Sequence, residues 1–132
     1  MSGTRMSLHP IHLGLGASAV IEPEFSGSMD WYVGYIERHQ ADGIEGRLVS
    51  LSTFTGPWTA WEMHPHGDEV VLCVSGSITL HQEQPDGSRH TVDLQPGEYA
   101  INARGTWHTA DVSSAATVVF VTAGVGTEHR AR

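Results

Sequence analysis

The sequence predicts an all-β protein, one small barrel carrying an N-terminal arm and one short helix. Three observations predict it. The chain has 132 residues, 39% of them hydrophobic, which suits one domain with one core and rules out a two-domain enzyme. From Gly46 onward it breaks into eight short β-rich runs, the pattern of a sandwich or barrel. Between the runs stand Gly56-Pro57, Pro65-His66-Gly67, Ser75-Gly76, Pro85-Asp86-Gly87, Gln95-Pro96-Gly97 and Arg104-Gly105, each with turn chemistry.

Residues 1–27 have no sustained period and hold Gly3, Pro10, Gly14, Gly16, Pro23 and Gly27, so an irregular arm is expected. Met29 to Gln40 sets Trp31 with Tyr35, and Tyr32 with Ile36, one helical turn apart behind the caps Ser28 or Asp30, and Gly43 stops the helix. This aromatic helix is expected to cover a barrel face or a dimer contact rather than touch substrate. The expected strands are Arg47 to Thr55, Trp58 to His64, Glu69 to Val74, Ser77 to Gln84, Arg89 to Leu94, Glu98 to Asn102, Thr106 to Val112 and Thr117 to Thr122. Eight strands suffice to close a barrel with room for side chains or one small ligand and no exposed edge. The domain plan is therefore residues 1–45 as arm and helix, 46–123 as barrel and 124–132 as a surface tail.

Seven basic residues, all Arg and scattered, oppose 15 acidic ones for a formal charge of -8. That excludes a phosphate-tracking surface for nucleic acid and argues against anionic membranes. The best apolar runs, Val70–Val74 and Thr117–Val121, are strand length, far from the ~20 residues of a membrane helix. Without a leader-like N-terminus, a cytoplasmic protein is the expectation. The single Cys73, between Leu72 and Val74, cannot form an internal disulfide and reads as a buried strand residue. Nine His are the compositional anomaly.

Strand alternation puts Trp58, Ala60, Glu62 and His64 on one face and Thr59, Trp61 and Met63 on the other. A bend at Pro65 to Asp68 returns the chain as a strand with Glu69 beside His64. His108 begins another strand behind Gly105. Taken singly, each of these reads as a structural residue. Together, two carboxylates and two or three imidazoles converging in a barrel suit a divalent transition metal, Fe, Mn, Ni, Zn or Cu.

The stretch Trp61-Glu-Met-His-Pro-His-Gly-Asp-Glu-Val-Val-Leu-Cys-Val-Ser-Gly76 resembles the first motif of the cupin superfamily, in which two His one residue apart precede a Glu followed, after six residues, by Gly. Gly97-Glu-Tyr-Ala-Ile-Asn-Ala-Arg-Gly-Thr-Trp-His108 resembles the second, with Gly97, Gly105 and His108 in place and Ala103 where Pro is usual. The resemblance implies a small cupin-type β-barrel, a double-stranded β-helix of jelly-roll kind. Only Gly67 and Asp68 separate His66 from Glu69, fewer residues than the family has there, so two registers arise. Aligned without gaps, the ligand set is Glu62, His64, Glu69 and His108, with His66 on the rim. A shortened hairpin would instead pair His64 with His66. The gapless register is preferred because it keeps both the alternation and the spacing to Gly76.

Trp58, sharing the face of Glu62 and His64, is expected to line a pocket, as are Tyr99 and Ile101, while Trp61 and Trp107 pack outside. His9, His12, His39, His81, His90 and His129 have no pattern and are expected at the surface. The function implied is metal-dependent chemistry on a small molecule, dioxygenase or isomerase/lyase in type; the alternative is a non-enzymatic barrel that binds or senses a metabolite. Small barrels of this family are often dimers, and the helix and arm offer surface for a homodimer.

Overall fold

Apolar alternation sorts the chain into two antiparallel sheets that enclose one core. The computed structural model describes residues 2–132. In order the elements are β1 (Ile11–Gly14), β2 (Ser18–Ile21), α1 (Met29–Arg38), β3 (Arg47–Phe54), β4 (Ala60–Met63), β5 (Glu69–Gly76), β6 (Ile78–Glu83), β7 (Arg89–Leu94), β8 (Tyr99–Asn102), β9 (His108–Asp111), β10 (Ala116–Thr122) and β11 (Glu128–Ala131). One sheet runs β2-β1-β3-β10-β5-β8 and the other β11-β4-β9-β6-β7. All eight expected strands are present. Closure differs from the expectation: packing between the sheets joins them, and β2, β8, β11 and β7 remain edges. Among the described residues no helix is long and apolar enough to cross a membrane.

The period of two explains where the core sits. Val71 and Cys73 of β5, Ala116, Val118 and Phe120 of β10, and Ile78 and Leu80 of β6 face inward and pack with Leu94, Ala110 and Val112. Cys73 is fully buried, as expected. At its far end β5 turns through Gly76, whose φ is +71° and whose added Cβ would lie 1.9 Å from the Ala115 carbonyl oxygen. Only glycine fits that turn. The apolar residues thus fill one end of the barrel, and the polar inward residues Glu69, Asn102, Gln82 and His108 are gathered at the other.

Two segments correct the sequence-based plan. Residues 11–21 form a hairpin that extends the sheet, β1 pairing with β3 through Ile11↔Val49, His12↔Leu48 and Leu13↔Arg47. Glu128–Ala131 is a strand on β4 rather than a free tail. The strands β1, β2 and β11 are each four residues long, and β2 and β11 are exposed throughout. Backbone pairing, which leaves no apolar pattern, attaches them, with side-chain bonds from His12 and Arg130 in addition.

Helix α1 starts at Ser28, whose Oγ accepts from the Trp31 N–H at 3.3 Å, and it buries Trp31 and Tyr35 against Leu48 and Phe25. The predicted surface positions of His12 and His39 are corrected here. His12 is 2% exposed: its Nε2–H donates to Asp42 Oδ2 at 2.5 Å and its Nδ1 accepts from the Tyr35 hydroxyl at 2.7 Å. His39 stacks on it with ring centres 3.6 Å apart and donates to the buried Glu22, which also binds Arg38. This network fastens hairpin, helix and sheet together. His81 is likewise drawn in, by Asp111 at 2.7 Å.

Candidate metal centre

Three strands, β4, β5 and β9, deliver the candidate ligands to one end of the barrel. Glu62 stands on β4 directly opposite His108, the first residue of β9. His64 follows one residue after β4. Glu69 opens β5 and lies opposite both Thr122 of β10 and Asn102 of β8. The two motif turns are tied together, the Gly105 N–H donating to the His64 carbonyl at 3.0 Å and the Arg104 N–H to Asp68 Oδ1 at 2.8 Å.

Glu62, His64 and His108 each offer a ligand atom within 4.8 Å of the others. Glu69 joins them, Oε2 lying 3.2 Å from His64 Nε2 and Oε1 3.2 Å from His108 Nε2. Glu62 Oε2 lies 3.9 Å from His64 Nε2, and its Oε1 is 3.5 Å from His129 Nε2. His66, the alternative ligand, is exposed and outside the cluster. Its side chain sits beside Gly126 instead.

The hydrogen-bond network fixes which imidazole nitrogen faces the centre. His108 Nδ1 meets the Thr106 carbonyl at 3.1 Å, an acceptor only, so Nδ1 carries the proton. His64 Nδ1 meets Thr127 Oγ1 at 2.8 Å. That hydroxyl spends its own proton on the Gly124 carbonyl at 2.8 Å, so it accepts from His64. In the neutral rings both Nε2 atoms therefore turn a lone pair inward. Both are buried and neither has a hydrogen-bond partner, the 3.2 Å approaches to Glu69 being poorly aligned. Two lone pairs and a carboxylate aimed into one buried space repel unless a cation or proton lies between them.

Glu69 is held from behind. Oε1 accepts from Asn102 Nδ2 at 3.1 Å and Oε2 from the Thr122 hydroxyl at 2.6 Å. Asn102 Oδ1 in turn accepts from Gln82 Nε2 at 2.8 Å. Burial alone would push the Glu69 carboxyl up, but the facing imidazoles of His108 and His64 outweigh it and hold the group well below the usual carboxylate range. Burial pushes His108 down, and Glu69 prevails and raises it above the ordinary 6.5. These supporting contacts are of the kind that orient metal ligands.

His12, His39 and Asp42 also lie within 4.8 Å of one another. The two clusters differ in one respect. Both nitrogens of His12 already have protein partners, whereas the Nε2 atoms of His64 and His108 have none.

The centre opens into a cavity of about 1120 Å³ between α1 and the two sheets. Trp58 lines it, as the alternation requires. Tyr99 and Ile101 do not: they are 64% and 52% exposed and point outward. The face of β8 is set by its pairing with Glu69 and Val71, which turns Asn102 and Ala100 inward instead. Trp61 packs outside, between the guanidinium groups of Arg89 and Arg130. Tyr32, expected away from any ligand, lines the cavity, and its phenol is raised by burial and by Glu62 and Glu69. Thr127, Thr122, Asn102 and Gln82 were not legible as site residues. Asn102 alone carried a signal, sitting in the second motif at the parity of Glu69.

No protein-family model matches the sequence, and no curated protein is significantly similar to it. Among solved structures, the fold is similar to the formate complex of Lactobacillus farciminis oxalate decarboxylase, with a TM-score of 0.54 and 12% identity, covering 64% of this chain and 26% of that one. A mutant of Bacillus subtilis oxalate decarboxylase gives 0.53 and 16% identity over 64% of this chain and 23% of that one. A cupin-2 domain protein from Shewanella frigidimarina is 22% identical over 58% of this chain and 69% of that one, with a TM-score of 0.47. Over the matched residues the chain shares the fold of these decarboxylase domains, the cupin-type barrel that its two motifs imply. It spans about a quarter of each decarboxylase chain, and at these identities the likeness is one of fold.

Proposed function

We propose that the protein binds a divalent transition metal, Fe, Mn, Ni, Zn or Cu, through Glu62, His64, Glu69 and His108 and acts on a small molecule held in the adjoining cavity. The observation that carries this is the pair of buried Nε2 atoms, both with inward lone pairs and no partner. Two imidazoles and carboxylates are a donor set such ions take. A bound ion would supply Lewis-acid polarisation or, if redox-active, oxygen chemistry.

The two carboxylates divide the remaining work. Glu69 has both oxygens engaged by Asn102 and Thr122 and is 3% exposed, so it is held fixed beside the two imidazoles. Glu62 has 34% of its side chain exposed and lines the cavity, where it can take a proton from a bound molecule. A cavity-facing carboxylate beside a Lewis acid fits isomerase or lyase chemistry, and a redox-active ion on the same ligands fits a dioxygenase. Trp58 and Tyr32 shape the space around the reacting atoms.

Equilibrium titration of metal-free protein with Zn(II) or Mn(II) tests the assignment. His64→Ala and His108→Ala are each expected to lose at least 100-fold in affinity with the fold intact by circular dichroism, and His66→Ala less than threefold. Tight binding in both single variants would overturn the site. A wild-type protein that takes up no ion would leave a metal-free metabolite-binding barrel.

A further inference from the structure

The cavity is built without an arginine or a lysine, its only basic side chains being the imidazoles of His64 and His129. The chain has seven Arg and no Lys, and among the described residues no Arg lines the cavity. Three carboxylates do: Glu37, Glu62 and Glu69. Several of the arginines are engaged elsewhere, Arg38 with Glu22, Arg130 with Glu83 and Arg132 with Asp111. The walls are ring-rich. Phe54, Trp58 and Phe120 pack with centres 5.5–6.1 Å apart, the two phenylalanines edge to face and each tilted against Trp58, and Tyr32 faces the same space from α1. Ser50, Ser52 and Thr122 add hydroxyls.

From this we infer that the cavity selects ring-bearing molecules that are neutral or cationic and rejects anions such as carboxylates and phosphate esters. The inference rests on the proposed small-molecule site and deepens it. An anion entering here meets two or three carboxylates and no guanidinium or ammonium group, with only the imidazoles of His64 and His129 to set against them. Like-charge juxtaposition of that sort discriminates strongly between otherwise equal ligands. A divalent ion bound at the centre offsets two of those charges, and with Glu37 included the surroundings still do not become positive. Aromatic walls meanwhile reward a flat ring and, where it carries an ammonium, a cation over their faces.

The test uses one ring with three charges: benzyl alcohol, benzylamine and benzoate, titrated by ligand-observed NMR into the full chain, first metal-free and then Zn(II)-loaded. Benzyl alcohol and benzylamine are expected to bind at least tenfold more tightly than benzoate to the metal-free protein, with the order kept after loading. Tyr32→Leu, at a 41% exposed position, is expected to weaken benzyl alcohol severalfold. Met29→Arg, which sets a cation on the cavity rim at a 66% exposed position, is expected to strengthen benzoate at least fivefold. Benzoate binding as tightly as the alcohol to the metal-free protein, or none of the three binding, would overturn the inference. Failure to load Zn(II) with the charge order intact would defeat the metal reading and leave this one standing.

Discussion

Thr127 decides which nitrogen of His64 faces the cavity. Its hydroxyl proton goes to the Gly124 carbonyl, so it receives the His64 Nδ1–H and leaves Nε2 bare. Thr127→Val keeps the shape and removes the acceptor. Loss of such an orienting partner typically costs ~10–100-fold in metal affinity, and that is the expected fall in a Zn(II) titration, with Tm of the metal-free protein little changed. An unchanged affinity would show that packing alone sets the ring. His108 gives a second residue-scale expectation. Its folded-state pKa is raised above 6.5 by Glu69, so its contribution to stability is fully present below about the ordinary histidine value and is lost as pH rises through the raised value. Metal-free protein should therefore have a lower Tm at pH 9 than at pH 6, while metal affinity rises over the same interval because the proton no longer competes. A Tm rising toward pH 9 would contradict the Glu69–His108 pairing.

At the scale of elements, the β4–β5 and β8–β9 turns assemble the site and the turn at Gly76 fixes β5 against β10. Gly76→Ala places a Cβ 1.9 Å from the Ala115 oxygen at φ +71°, and an expected loss on the order of 2–4 kcal/mol follows from strain plus overlap. Gly87, at φ +85° with open space around it, is the control: Gly87→Ala should cost about 1 kcal/mol, the backbone penalty alone. Urea midpoints of the two variants separate the effects. The same elements show what the sequence could and could not disclose. Strands whose inner face is apolar, such as β5, β6 and β10, announce themselves by period. The four-residue strands β1, β2 and β11 are attached by backbone pairing at the margins of the sheets and show no such period. The parity of β8 was ambiguous because Tyr99 and Ile101 are the larger residues; the small Ala100 and polar Asn102 turn inward only because β5 presents Val71 and Glu69 there.

Taken as a whole, the molecule separates stability from chemistry along the barrel. One end is filled by Ile78, Leu80, Leu94, Val112 and Val118, and the other holds polar inward groups under an aromatic helix. The ligand candidates were legible because two motifs place them at opposite ends of a hairpin and a distant strand. Their supports were not, since Thr122, Thr127 and Gln82 owe their roles to contacts across the fold rather than to local spacing. His12 and His39 were misread for the same reason: their partners Tyr35, Asp42 and Glu22 lie 17 to 30 residues away. The central claim is that the inward-facing pair His64 and His108, with Glu69 and Glu62, exists to hold a metal ion. Elemental mass spectrometry of untagged protein purified without chelator tests it most directly. About one equivalent of iron, manganese, nickel, copper or zinc per chain is predicted, absent from the His64→Ala/His108→Ala double variant; metal-free protein that takes up none of these ions on reconstitution would contradict it.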